Sequence, residues 1–205
     1  MKIKVCGLTA IDNINQVSKL EVDYVGFIFY KKTSRFVELT KDLISEIHGL
    51  SNQKVGVFVD ETQNEVVRLK TLLDLDYVQL HGDESVEYCK ELQVFTKIIK
   101  VFKIDEEFDF ETCKLYDFVD YFLFETKGKL KGGNGTQFDW SRLQEYDLSV
   151  PFFLSGGIGM CDVSSLTKLN HPALKVVDVN SGFELEPGLK NVELIKEFKN
   201  ELSNR

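Results

Sequence analysis

The sequence predicts an α/β fold, a closed (β/α)8 TIM barrel that occupies residues 1–205 as a single domain. Eight short apolar runs alternate with segments of helical periodicity, and each pair takes roughly 20–30 residues, the spacing of βαβ units. Several runs have no polar alternation, which is typical of parallel strands buried on both faces. No Pro- or Ser-rich linker divides the chain.

The predicted strands are Ile3–Cys6, Tyr24–Phe29, Val55–Val59, Tyr77–Leu80, Ile98–Phe102, Tyr121–Phe124, Phe152–Leu154 and Val176–Val179. The predicted helices are Ile11–Leu20, Lys41–Leu50, Glu65–Leu73, a segment opened by Ser85, Phe108–Tyr116, Ser141–Tyr146, Val163–Leu169 and Val192–Phe198. Thr9 and Thr40 precede the first two helices, where a hydroxyl can cap the free backbone N–H groups of the first turn.

An open, doubly wound sheet is the alternative architecture for this alternation of strands and helices. Its usual fingerprint, G-x-G-x-x-G after the first strand, is missing, because the first strand runs into Cys6-Gly7-Leu8-Thr9. The closed barrel is therefore the favoured prediction.

Composition and charge exclude several function classes. The 33 acidic and 25 basic residues give a net charge of −8, which argues against a nucleic-acid or membrane-surface partner but leaves room for an anionic metabolite. No run of 18 apolar residues predicts a membrane span. The four cysteines form no C-x-x-C pair, so we expect free thiols in a reducing cytoplasm and no zinc ribbon.

Glycine-rich loops follow the last two predicted strands. In a parallel barrel the active site lies at the C-terminal ends of the strands, and the loops after strands 7 and 8 often hold a phosphate. Here those loops are Ser155-Gly156-Gly157 and Asn180-Ser181-Gly182. Glycines let backbone N–H groups turn toward an anion, so we expect a phosphate site, with two ordinary tight turns as the alternative.

Cys6 and Glu125 end the first and sixth predicted strands and are candidate acid–base groups. A thiol acts as a base only as thiolate, so a lowered pKa would help Cys6, whereas the alternative is a small buried apolar side chain. A carboxyl at the rim of an apolar barrel should have a raised pKa, whereas the alternative for Glu125 is a solvated loop carboxylate.

Three further segments could contact a ligand. Arg35 follows strand 2 and could bind a substrate carboxylate with two hydrogen bonds, or be a surface charge. His81 could bind substrate or donate a proton, or make a structural hydrogen bond. The segment Gly132–Trp140 could form a mobile lid or a long turn.

Taken together, these segments resemble the phosphoribosylanthranilate isomerase family of tryptophan biosynthesis. The matching motifs run in order along nearly the whole chain: Lys4–Thr9, Gly26–Phe29, Thr33–Val37, Val55–Asp60, Val78–Glu84, Gly132–Trp140, Leu154–Ile158 and Asp178–Glu184.

The resemblance implies a (β/α)8 barrel without metal or cofactor that converts N-(5-phosphoribosyl)anthranilate into 1-(2-carboxyphenylamino)-1-deoxyribulose 5-phosphate. It implies that Cys6 is the general base, that Arg35 binds the substrate carboxylate and that Asp178 contacts the reacting part of the substrate. It also implies that the family's phosphate-binding loops correspond to Gly156, Gly157, Ser181 and Gly182.

The family's general acid is an aspartate in a D-T pair, and this chain has Glu125-Thr126 instead. The longer arm can move the proton by up to about 1.5 Å, and a misplacement of about 1 Å can cost a hundredfold in rate. Ser34 replaces a proline and Asn180 replaces a serine, and neither change removes an essential group.

Two alternatives to the isomerase stay open at this point. One is a related phosphosugar isomerase or epimerase, although the sequence lacks a clear His/Asp metal constellation. The other is a phosphosugar-binding barrel weakened in catalysis by the glutamate. The sequence allows a monomer or a homodimer.

Overall fold

The structure, a computed structural model, describes residues 1–126 and 138–203. Eight parallel strands pair in chain order, and the eighth pairs with the first, which closes the barrel. The strands are β1 (Lys2–Cys6), β2 (Tyr24–Ile28), β3 (Gln53–Phe58), β4 (Tyr77–Leu80), β5 (Lys97–Ile104), β6 (Tyr121–Thr126), β7 (Phe152–Leu154) and β8 (Leu174–Val179). The closed barrel is confirmed over the open sheet, and each strand end lies within two residues of its prediction.

Helices cover the outside of the barrel after most strands. They are α1 (Ile11–Ser18), α2 (Lys41–Gly49), α3 (Gln63–Leu73), α4 (Val86–Leu92), α5 (Val163–Lys168) and α6 (Val192–Ser203). Their buried side chains recur at helical spacing, as Val66, Leu69 and Leu73 do in α3, so each helix turns one apolar stripe to the sheet. No helix in the described part of the chain is long and apolar enough to cross a membrane.

The connections after β5 and β6 are 3-10 helices where the sequence predicts α-helices. They span Phe110–Tyr116 and Trp140–Glu145. Each begins at an aspartate, Asp109 or Asp139, whose carboxylate accepts a hydrogen bond at 2.9 Å from the N–H two residues later. Both segments are short and contain aromatic residues of modest helix propensity, so neither extends into regular α-helix.

Two of the capping hydroxyls behave as expected and one does not. Thr40 and Ser85 accept hydrogen bonds from the backbone N–H groups of Leu43 and Tyr88. The prediction for Thr9 is wrong: α1 begins after Ala10 without a side-chain cap, and Thr9 donates to the carbonyl of Gly188 at 3.1 Å. Gly188 lies in the turn of a hairpin formed by β9 (Glu184–Glu186) and β10 (Leu189–Lys190), so Thr9 ties this hairpin to the barrel.

Alternate residues of each strand point into the barrel and change from apolar to polar toward its C-terminal end. The inward residues of β4 are Tyr77 and then Gln79, followed by His81 just after the strand, and on β8 they are Val176, then Asp178. Successive side chains of a strand point to opposite faces, so every second residue joins the interior stack. The apolar layer therefore lies below the polar layer along the barrel axis.

Four aromatic rings close the apolar end of the barrel. Phe153 packs edge-to-face against Tyr24 and Tyr121, with ring centroids 5.2 Å and 5.1 Å apart, and Tyr77 touches both tyrosines. Such edge contacts suit the ring quadrupoles, and the four rings together fill the interior. This apolar floor lies at the opposite end of the described interior from the polar side chains.

Removing the central ring of this floor should destabilise the barrel. Phe153 is fully buried, so Phe153→Ala leaves a cavity and should lower the free energy of unfolding by about 3–5 kcal/mol. Equilibrium unfolding in urea measures the change. The matched control is Phe95→Ala at a ring that is 61% exposed, which should shift stability by less than about 0.5 kcal/mol. Equal midpoints for both variants would contradict this account of the floor.

Candidate active site

A cavity of about 230 Å³ opens at the C-terminal end of the barrel. All nine candidate residues from the sequence line it: Cys6, Arg35, His81, Glu125, Gly156, Gly157, Asp178, Ser181 and Gly182. They come from the ends of six different strands or the loops that follow them, which is how a parallel barrel builds a site. The cavity is also lined by Ile28, Val57, Gln79, Ser155, Ile158 and Asn180.

The two glycine loops lie against each other at one side of the cavity. Gly156 has φ +97°, and a Cβ there would lie 2.5 Å from the backbone nitrogen of Thr126. A Cβ on Gly182 would collide with the carbonyl oxygen of Ile158, in the loop that follows β7. Gly156 is therefore required for the approach of its loop to β6, and Gly182 for the approach of the two loops to each other.

Cys6 is the last residue of β1 and is 4% exposed. Its sulfur lies over Gly26 of the adjacent strand, where a Cβ would come within 2.8 Å of Sγ. Burial raises the pKa of the Cys6 thiol, and the nearby ammonium groups of Lys4 and Lys190 offset this rise only in part. The thiol of the free protein is therefore protonated at neutral pH, and its pKa is not lowered.

A buried ion pair lies beside the thiol. Lys4 and Asp178 are direct register partners on β1 and β8, and Lys4 Nζ is 3.0 Å from Asp178 Oδ1. Burial would lower the pKa of Lys4, but Asp178 and the Cys6 sulfur together raise it, so the lysine stays charged. Ser155 Oγ lies 3.3 Å from Asp178 Oδ2. Asp178 is therefore held in place from two sides.

Glu125 is the penultimate residue of β6 and makes a hydrogen bond with His81 in the cavity. His81 Nε2 lies 2.8 Å from Glu125 Oε2, and Gln79 Nε2 lies 3.0 Å from His81 Nδ1. Burial alone would raise the pKa of Glu125, as the sequence predicts, but the hydrogen bond from His81 and the positive charge of the surroundings, Lys103 and Lys4 included, outweigh it and lower the pKa. The predicted raised pKa is therefore wrong, because sequence reasoning did not see that His81 faces this carboxyl.

Arg35 lines the cavity and is already paired with a carboxylate of the protein. Its Nε lies 2.9 Å from Glu184 Oε1, and its Nη2 lies 2.5 Å from Glu184 Oε2. Burial raises the pKa of Glu184, but hydrogen bonds from Arg35, Lys190 and the Gly188 N–H lower it to about 2. Among residues 1–126 and 138–203, no acceptor takes a hydrogen bond from Nη1 of Arg35, so this edge is left for a ligand.

Several residues that organise the site were not identified from the sequence. Lys4, Gln79, Glu184 and Lys190 are each polar side chains within or beside strands, and Lys190 Nζ binds both Glu184 at 2.7 Å and Asn180 Oδ1 at 2.6 Å. A polar residue on the inward face of a buried strand is the signal that could have found Lys4 and Gln79. Glu184 and Lys190 had no such signal, because their hairpin follows the last barrel strand.

Two other expectations concern the lid and metals. Of the segment Gly132–Trp140, residues 132–137 lie outside the described residues, and Phe138, which follows them, is buried. Within the described ranges, no group of three or more His, Cys, Asp or Glu side chains could hold a metal ion.

Comparison with known proteins gives one consistent family. A family model described as N-(5'-phosphoribosyl)anthranilate (PRA) isomerase matches residues 3–201. The N-(5'-phosphoribosyl)anthranilate isomerase of Parabacteroides distasonis is 44% identical over 202 residues, which cover 97% of this chain and 91% of that protein.

Solved structures agree over the full chain. A phosphoribosyl anthranilate isomerase in complex with reduced 1-(o-carboxyphenylamino)-1-deoxyribulose 5-phosphate superposes with a TM-score of 0.84 at 28% identity, covering 100% of both chains. A structure of monomers made from the dimeric enzyme of Thermotoga maritima gives 0.82 at 27% identity, again over both whole chains. The family model matches residues 3–201, and the relative from Parabacteroides distasonis is 44% identical to this chain. The chain therefore belongs to the N-(5'-phosphoribosyl)anthranilate isomerase family.

Proposed function

We propose that this cavity carries out the family's isomerisation with Cys6 as general base and Glu125 as general acid. The observation that supports the assignment is that both groups line one cavity whose wall also contains Arg35 and the two glycine loops. A ribosyl phosphate with an aromatic carboxylate needs these three elements together: acid–base groups, a cation for the carboxylate and backbone donors for the phosphate.

The reaction divides into ring opening, which needs an acid, and removal of the C2 proton, which needs a base, followed by ketonisation. Glu125 protonates the ribose ring oxygen, the bond from that oxygen to C1 breaks, and the nitrogen lone pair forms the C=N bond of a cationic Schiff base. The Cys6 thiolate then takes the proton from C2, and the electron pair of that bond forms an enolamine. Ketonisation places a proton on C1 and releases one from the C2 hydroxyl, so the overall change is an isomerisation.

The remaining residues of the cavity bind and orient the substrate in this proposal. The backbone around Gly156, Gly157, Ser181 and Gly182 takes the phosphate. The Nη1 edge of Arg35 takes the anthranilate carboxylate, with Glu184 holding the guanidinium plane. Asp178 contacts the reacting carbons, and His81 meets the sugar with its ring carbons because both of its nitrogens are bound.

The charges of the substrate adjust the protonation of both groups. In the free protein the pKa of Cys6 is raised and that of Glu125 is lowered, which opposes their proposed roles. A bound phosphate and carboxylate bring negative charge near Glu125 and raise its pKa. The Schiff base that follows brings positive charge near Cys6 and favours the thiolate. The protonated carboxyl of Glu125 and the thiolate of Cys6 are therefore formed after the substrate binds and not in the empty cavity.

We further propose that the chain works in the cytoplasm as a monomer or a homodimer. All four cysteines are free, and Cys6, Cys89 and Cys113 are buried, which suits a reducing compartment.

Removing either proton-transfer group should abolish most of the turnover without unfolding the protein. Cys6→Ala and Glu125→Gln should each lower kcat by about 10²- to 10⁴-fold, the usual contribution of a general acid or base. The fall of anthranilate fluorescence on turnover measures kcat, and circular dichroism checks the fold. If the wild-type protein binds the substrate without turnover, the chain is a binding barrel instead.

Glu125→Asp restores the family's residue and serves as the matched comparison. The shorter arm withdraws the carboxyl from His81 by up to about 1.5 Å, so we expect kcat to fall about a hundredfold rather than rise. A variant as fast as the wild-type protein would show that the His81 contact does not position the acid.

Arg35→Lys should weaken binding of the substrate carboxylate. A lysine keeps the charge but loses the planar donor edge, so KM should rise about 10- to 100-fold while kcat changes less. The matched control is inhibition by ribose 5-phosphate, which has no carboxylate and should inhibit both proteins equally. An unchanged KM would show that Arg35 serves only to pair with Glu184.

The Cys6 thiol should react slowly at neutral pH. Because its pKa lies above the ordinary value of 9.0, the rate of alkylation by iodoacetamide should rise tenfold per pH unit up to at least pH 9. Mass spectrometry of the Cys6 peptide in a Cys161→Ser background measures this rate without the exposed thiol. A rate that levels off below pH 8 would contradict a raised pKa.

A further inference from the structure

Gln79 has a buried oxygen that no group of the protein satisfies. The side chain lies in the middle of β4, is 1% exposed and lines the cavity. Among the described residues, its Oε1 has no hydrogen-bond partner. A buried acceptor without a partner is destabilising, so native proteins keep such atoms mostly where a ligand or water can satisfy them.

The orientation of the Gln79 amide follows from its neighbours. The Glu125 carboxylate can only accept a hydrogen bond, so His81 Nε2, at 2.8 Å from it, must carry a hydrogen. In a neutral imidazole the other nitrogen, Nδ1, is then an acceptor. It faces the Gln79 amide NH2 at 3.0 Å, and Oε1 is therefore directed away from the ring.

Two side-chain donors that line the cavity are bound to carboxylates and do not reach this oxygen. Ser155 Oγ donates a hydrogen bond to Asp178, and Arg35 donates to Glu184. A neutral amide oxygen repels the phosphate and carboxylate of the proposed substrate, but it accepts well from a hydroxyl. The neutral donors of this substrate are its anilino N–H and its sugar hydroxyls. The N–H lies ortho to the anthranilate carboxylate, which accepts its hydrogen bond, so the sugar hydroxyls fit the unsatisfied oxygen.

We propose that Gln79 recognises a sugar hydroxyl of the substrate through Oε1 while its amide nitrogen fixes the histidine that holds Glu125. The inference rests on the proposed function and deepens it, because one side chain then joins sugar recognition to the orientation of the proton donor. A substrate without that hydroxyl should lose kcat as well as affinity, since the buried oxygen stays unpaired in its complex.

The experiment uses reduced 1-(o-carboxyphenylamino)-1-deoxyribulose 5-phosphate and three versions of it that each lack one hydroxyl. Calorimetry measures their Kd for the wild-type protein and for Gln79→Met, which has a similar shape without the amide. In the wild-type protein one version should bind about 5- to 100-fold more weakly than the parent. In Gln79→Met that difference should shrink below about twofold, which is the coupling expected of a direct contact.

Two further variants separate the two roles of the side chain. Gln79→Glu keeps an oxygen for the hydroxyl but cannot donate to His81, so it should keep the discrimination and lose kcat. Gln144→Met makes the same chemical change as Gln79→Met at an exposed position and should behave as the wild-type protein. If Gln79→Met does not fold, the Gln79→Glu variant tests the inference by itself. Retained discrimination between the ligands together with a lower kcat is the combination expected from this contact.

Two results would overturn the inference while leaving the isomerase assignment intact. One is a wild-type protein that turns over substrate but binds all four ligands equally, as expected when water satisfies Oε1. The other is a Gln79→Met protein that keeps the full discrimination. A wild-type protein that neither turns over substrate nor binds the parent ligand would instead refute the proposed function, and this inference with it.

Discussion

The alternation of side chains along the strands of a closed barrel is the constraint on which the rest of this structure depends. Every second residue joins an interior stack, so Leu123 of the apolar floor is followed by Glu125 of the cavity, and Phe153 by Ser155. A residue of the apolar floor and a residue that lines the cavity are thus two positions apart along the chain. A one-residue shift in register would move both to the outside.

Charges inside such a stack have to be paired, and the pairs connect the cavity. Lys4 meets Asp178 across adjacent strands, and Arg35 and Lys190 share Glu184. A buried charge without a partner costs several kcal/mol, so each pair fixes both of its members in position. The hairpin that carries Glu184 and Lys190 therefore acts as part of the site, although its strands lie outside the barrel.

The barrel and the membership of the site follow from local sequence, whereas the protonation of the site does not. Apolar runs fix the strands, and parallel topology then places residues such as Cys6 and Glu125 at one end. The lowered pKa of Glu125 depends on His81, 44 positions earlier in the chain and two strands away, and the pairing of Arg35 depends on Glu184. Such long-range contacts between side chains leave no periodic signal, so only the folded chain reveals them.

A thiol suits the role of base that we propose for Cys6, for an electrostatic reason. The cavity already contains the carboxyl groups of Asp178 and Glu125. The nearby lysines are already bound to carboxylates, Lys4 to Asp178 and Lys190 to Glu184. A third carboxylate at position 6 would add negative charge to a site with little exposure and would have to be neutralised. A protonated thiol is neutral and behaves as a small apolar group until the reaction requires a base. In the proposed mechanism the base can therefore be buried in the empty state, and its ionised form is needed only when the cationic intermediate is present to stabilise it.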